Sequence, residues 1–177
     1  MKRKLKVDLG ELEIALQTDN YEVPHYLDLE TGEIILVMRE YASQLDEIYD
    51  VIHDEAGERS VSLEAYLEEA SYHDWEKEML LLADEVEQGY QERYIPVEKD
   101  DRHADYRDME RFIEAVEDDA LRERLWRAIQ GRGAFRYFKD VLYDYPEARQ
   151  AWFEFRDARR QRRAEEWLRA RGIELIC

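Results

Sequence analysis

The sequence is poor in the residues that staple, break or anchor a chain: one cysteine, three prolines and seven glycines in 177 positions. The lone cysteine, Cys177, excludes an internal disulfide framework. The run Met79–Ala83, "MLLLA", is far shorter than the roughly 20 apolar residues a membrane span needs. The opening "MKRKLKVDLG" is basic, but no apolar stretch of signal-peptide length follows it. Together these absences predict a cytoplasmic protein with no membrane partner. Basic residues are also scarce, 26 against 44 acids, for a net charge of -18. Such a chain repels bare nucleic acid on average and favours basic partners.

What is present is enough for a globular core. Hydrophobic residues make up 45%, the ordinary share for a folded domain. The charge is unevenly placed. Residues 1–110 carry 31 acids and 11 bases, whereas residues 111–177 carry 13 acids and 15 bases. Two oppositely biased halves either neutralise one another or present two different surfaces.

Periodicity predicts an α+β fold, mainly helical, in a single domain with a small N-terminal β-hairpin sheet. An N-terminal helix and hairpin are expected over about 8–40 and a helical body over about 41–172. Asp8 is placed to cap a helix reaching roughly Gln17, with Leu9, Leu12 and Leu16 on one face. Strands are expected near 24–29 and 33–38, around a turn in which Gly32 supplies the positive φ of a tight hairpin. Tyr41, Leu45, Ile48 and Ile52 form one helical stripe; Leu63, Tyr66, Leu67 and Ala70 continue helically. Trp75, Met79, Leu82, Val86 and Tyr90 form the next inward face. "RYIPVEKDDRHAD" reads as a solvated linker, because Pro96 excludes a continuous helix. From Tyr106 onward the pattern is helical, ending in a long helix that Pro146 opens and Gly172 ends.

"GRGAFRYFKDVL" at 131–142 has the glycines of a phosphate loop without its chemistry. A P-loop needs lysine after its last glycine, and Gly133 is followed by Ala134 and Phe135. The dinucleotide fingerprint needs a third glycine and a preceding strand. What precedes Gly131 is "LRERLWRAIQ", a helical pattern. Gly131 therefore suits a left-handed helix C-cap, Gly133 allows close helix approach, and Phe135, Phe138 and Leu142 are expected to face inward. Arg132, Gly133 and Arg136 at the following helix start are a candidate anion site.

The block "MERFIEAVEDDALRERLWRAIQGRGAFRYFKDVL", followed by "AWFEF" and "EWLRARGIE", closely resembles the bacterial uncharacterised-protein family number 158. "YLDLETGEI" and "RYIPV" look like that family's hairpin and linker. The resemblance spans nearly the whole chain. It implies a bacterial source and a small mixed domain, and it brings no catalytic residue with it.

No catalytic constellation stands out. His53 in "HDE" and His73 in "YHDW" are the His-Asp pairs that metal-dependent hydrolases use, but no histidine pair spaced i, i+4 accompanies them. No serine lies in a glycine-flanked elbow. Neither a metal nor another cofactor is expected. The most specific pattern is on the final helix: Arg149, Phe153, Arg156, Arg160, Arg163, Trp167 and Arg171 fall on one narrow stripe, with Trp152 and Phe155 on its flank. Arginine beside aromatics suits phosphates and exposed bases. The same stripe also suits packing along acidic segments of residues 1–110, with arginine stems covering apolar surface. Net charge favours this internal pairing. The leading expectation is a non-catalytic acidic module that binds or regulates another protein. The alternatives are RNA or single-strand binding through the stripe, and a metal-dependent hydrolase built on the His-Asp pairs.

Overall fold

The computed structural model describes residues 3–18, 21, 23–53, 57–98, 101 and 103–176. In chain order the elements are β1 (Arg3–Leu5), α1 (Leu9–Gln17), β2 (His25–Asp28), β3 (Ile34–Leu36), α2 (Arg39–Ile52), α3 (Leu63–Glu69), α4 (Asp74–Gln88), β4 (Tyr94–Val97), α5 (Ala104–Glu114), α6 (Asp119–Ala128), α7 (Ala134–Tyr143), α8 (Pro146–Ala170) and β5 (Ile173–Leu175). The fold is a mainly helical α+β arrangement, as the periodicity predicts. The chain divides into two compact units, residues 1–99 with 168–177, and residues 100–167.

In the first unit Asp8 opens α1 by accepting a hydrogen bond from the Glu11 amide at 3.0 Å. The hairpin forms where it is expected. β2 and β3 pair antiparallel, Tyr26 opposite Ile35. Its turn is fixed by Asp28, whose Oδ1 accepts from the Glu30 amide at 2.8 Å, and whose carbonyl accepts from the Gly32 amide at 2.8 Å. Gly32 has φ +81°, and a Cβ there would overlap the Lys6 carbonyl oxygen. Both the backbone angle and the space demand glycine.

The expected linker is corrected here: "YIPV" is β4, a third strand, in the order β3-β2-β4. Pro96 lies opposite Tyr26 on an edge strand, where the missing N–H need not complete a ladder. A separate parallel pair joins β1 to β5, Arg3 opposite Ile173. α2, α3 and α4 close around Tyr41, Leu45, Ile48, Ile52, Leu63, Leu67, Leu80, Ala83 and Val86. The inward face of α4 is therefore Leu80, Ala83 and Val86. Trp75 and Tyr90, expected inside, are 55% and 45% exposed.

The second unit buries Met109, Phe112 and Ile113 of α5, Leu121 and Leu125 of α6, Phe138 and Leu142 of α7, and Trp152 of α8. Phe112, Phe138 and Trp152 meet edge to face, with ring centres 4.8–6.2 Å apart. Each such pair adds about 0.5–1.5 kcal/mol beyond area burial. Between α6 and α7 the corner is real, but two details differ. α6 ends at Ala128 with Ile129 as its cap, so Gly131 (φ +81°) reverses the chain two residues beyond the cap. Gly133 (φ +80°) is itself the residue before α7, and a Cβ there would sit 3.0 Å from the Tyr137 ring. Ala134 takes the buried position on α7 and Phe135 is 48% exposed. Pro146 opens α8, and Gly172 takes φ +72° just past its end.

Candidate functional site

α8 carries the predicted stripe, and its residues meet three different environments. At the N-terminal end Arg149 is exposed and Arg156 half-buried; their guanidinium groups lie 5.5 and 5.1 Å from the centre of the Phe153 ring. Arg156 also reaches its neighbour Asp157 at 2.9 Å. Further along, the arginines turn to α5. Arg163 pairs with Asp108, and with Asp105 at 3.2 Å; Arg160 lies 3.7 Å from Asp105. Trp167 is buried, and Arg171 lies exposed just past the helix end.

Asp105 and Asp108 lie within the acidic residues 1–110, and they stand one turn apart on α5, facing the second unit's own arginines. Arg159, one residue off the stripe, joins them: its Nε donates to Asp108 at 3.0 Å. The sequence signal for it was available, since Arg159 and Arg163 are spaced i, i+4 and Asp105 and Asp108 i, i+3. Three arginines thus enclose two carboxylates, one of them 1% exposed. This cluster fastens α8 to α5, for a buried charge is tolerated only when paired and hydrogen-bonded.

The candidate anion residues lie at the α7 start. Arg132 and Gly133 are exposed. Arg136 stacks over Tyr137 at 5.2 Å and lies 4.0 Å from Asp140.

In the first unit Arg59 and Arg93 are engaged by carboxylates. Arg93 pairs with Asp28 at 2.8 Å, Glu85 at 3.0 Å and Glu30 at 3.3 Å. Burial works to raise the Asp28 carboxyl, but Arg93 and the Glu30 and Thr31 amides outweigh it and hold it below the usual carboxylate range. The Tyr94 hydroxyl donates to Glu85 at 2.7 Å; burial, then that carboxylate, push its ionisation well up. Arg59 pairs with Asp84, which also accepts from the Tyr49 hydroxyl at 2.5 Å. Burial first, and then Asp84, push the Tyr49 hydroxyl up to about 12.

The histidines are held apart in local roles. His53 packs its ring 4.8 Å from Tyr49, and His73 lies parallel to Trp75 at 6.4 Å. The His73 amide donates to Glu76 at 2.7 Å at the start of α4. Asp54, Glu55 and Cys177 lie outside the described residues. Among the described residues no three His, Cys, Asp or Glu side chains gather as a metal would require, and no helix is long and apolar enough to cross a membrane.

Beside α4, Trp75 stands edge-on to Tyr41, ring centres 6.2 Å apart. Burial, then the Glu40 and Glu76 carboxylates, push the Tyr41 hydroxyl above the usual phenol range. Among the described residues, the ion pairs made by α2, α3 and α4 are Arg59–Asp84 and Arg93–Glu85. Glu40, Glu47, Glu68, Asp74 and Glu78 are exposed and make no ion pair among the described residues.

These features define a helical α+β protein with an acid-rich unit and an arginine-aromatic unit. The chain belongs to the uncharacterised protein family UPF0158, whose sequence model matches residues 64–177. A UPF0158 protein of Pseudomonas aeruginosa is 27% identical over 172 residues, covering 97% of this chain and 87% of that protein. No solved structure matches the chain.

Proposed function

We propose that the protein is a non-catalytic binding module whose acidic helices α2–α4 engage a basic segment of another protein. The observation that carries this reading is Trp75, 55% exposed, braced against Tyr41 and flanked in sequence by Asp74 and Glu76 on an acid-rich helix. Residues 40–92 hold seventeen acids and two bases, and one of those bases, Arg59, is taken up by Asp84. The stripe's Arg160 and Arg163 find their carboxylates in Asp105 and Asp108 of residues 1–110. An exposed indole among carboxylates suits a lysine or arginine side chain, which gains a cation–π contact and a counter-charge together. Exposed tryptophan is also the residue type that most often anchors a protein interface.

The test is affinity capture at low salt from nuclease-treated extract, followed by direct titration of the captured protein. Trp75→Ala should weaken that binding by at least about 30-fold while leaving thermal unfolding nearly unchanged. Replacing Glu40 and Glu78 with glutamine should reduce both affinity and its sensitivity to salt. A captured set unaltered by all three changes rules the reading out.

A further inference from the structure

We infer that the face formed by α6, α7 and the first turns of α8 binds single-stranded nucleic acid. This surface belongs to the second unit and is independent of the acidic one. It holds cations that make no ion pair among the described residues. Among the described residues Arg132, Lys139 and Arg149 make no ion pair, in contrast to Arg159, Arg160 and Arg163, which are taken up by Asp105 and Asp108.

Aromatic rings are interleaved with these cations. Tyr143 is 73% exposed and Tyr137 46% exposed. Phe153 lies between the Arg149 and Arg156 guanidinium groups. Two grooves run across the face. One, of about 490 Å³, lies between α6 and α7 and is lined by Arg127 and Tyr137; the other, of about 550 Å³, lies between α7 and α8 and is lined by Lys139, Tyr143, Arg149 and Phe153. They share Asp140.

Single strands are the occupant that this chemistry selects. Exposed ring faces offer stacking to unpaired bases, which a duplex keeps inside its own stack, while unpaired cations follow the phosphates. Arginines already lying against rings lose less freedom on binding. A carboxylate at the junction of the grooves repels phosphate but accepts hydrogen bonds from the amino groups of splayed bases. An acidic peptide would use the cations yet gain little from open tyrosine faces and would be repelled by Asp140. The chain's acidity does not forbid this, because net charge acts only through charges within a Debye length, about 8 Å at physiological salt, of the bound strand.

The experiment uses the full chain and a fluorescein-labelled RNA of about 15 nucleotides, with its duplex and a polyglutamate peptide as competitors. Fluorescence anisotropy at low salt should show binding to the single strand, weaker binding to the duplex and poor competition by polyglutamate. Replacing Arg132, Lys139 and Arg149 together with glutamine should flatten the logarithmic salt slope by about 2, near 0.7 per lost contact. Tyr143→Ala should weaken binding roughly tenfold without changing the salt slope. All four positions are exposed, so melting temperature should hold. Absence of binding at low salt overturns the inference. So does polyglutamate competing as well as RNA with no effect of Tyr143→Ala, which would assign the face to an acidic protein. The Trp75→Ala capture experiment reads the other unit, so either reading fails alone.

Discussion

Asp28 and Asp108 are both almost wholly buried and both held by arginine, yet they belong to units of very different charge, -16 and -2. In the first unit a single base, Arg93, serves Asp28, Glu30 and Glu85. In the second, two carboxylates serve Arg159, Arg160 and Arg163. The interaction is the same and its stoichiometry is inverted. Where bases are limiting, the surface is left with carboxylates; where acids and bases nearly balance, 17 to 15 over residues 100–167, some cations stay unpaired. Internal pairing within each unit therefore leaves the charge asymmetry of the sequence in place. One chain of net charge -18 can therefore carry both the acidic surface proposed for a basic protein segment and the arginine-aromatic face inferred to take single strands.

The comparison breaks most visibly at Asp108. Removing it leaves Arg159 and Arg163, each about three-quarters buried, without their shared carboxylate. Asp108→Ala should cost about 3–5 kcal/mol, because an uncompensated buried charge remains. Asp105, with 29% of its side chain exposed, should cost about 1 kcal/mol or less, since water can replace it. Urea unfolding of both variants measures the contrast. Equal and small losses would mean that α8 is held by its apolar face alone and that the arginine cluster is incidental.

The hairpin, the left-handed glycines and most helix faces were legible because each rests on a local rule. Asp8 acts on a neighbour three residues away and Gly32 through its own backbone angle. What was misread depended on partners. Pro96 argued against helix and was taken for linker, since nothing local reveals that its strand is an edge. On α4 the run Met79–Leu82 is apolar on most of its circumference, so the phase of the stripe was ambiguous, and large aromatics at either end pulled it toward Trp75 and Tyr90. On α7 the buried position belongs to the smaller Ala134, whereas hydrophobicity alone favours Phe135. The arginine stripe was legible as a stripe, but its division into free and paired cations depends on where Asp105 and Asp108 lie on another helix.

Two glycines, one in each unit, sharpen the comparison at a smaller scale. Gly32 and Gly131 share a φ of +81°, so alanine bears the same left-handed strain at either site. Their surroundings differ. At Gly32 a methyl group overlaps the Lys6 backbone carbonyl, whereas at Gly131 nothing lies within 4 Å. Gly32→Ala should therefore destabilise by roughly 3 kcal/mol, the strain plus the displacement of a backbone segment.

Gly131→Ala isolates the strain. With open space around the new methyl, only the left-handed conformation opposes it, at about 1 kcal/mol, slightly offset because alanine leaves the unfolded chain less entropy to lose. Thermal unfolding of the two variants under identical conditions gives the difference directly. A Gly131→Ala loss as large as that of Gly32→Ala would show that the corner between α6 and α7 is packed from outside, by a second molecule or by a contact in solution. An unchanged melting temperature would show that the corner can be rebuilt with φ negative. The expected order, a large loss at the hairpin and a small one at the corner, makes Gly131 a hinge position whose side is open to solvent.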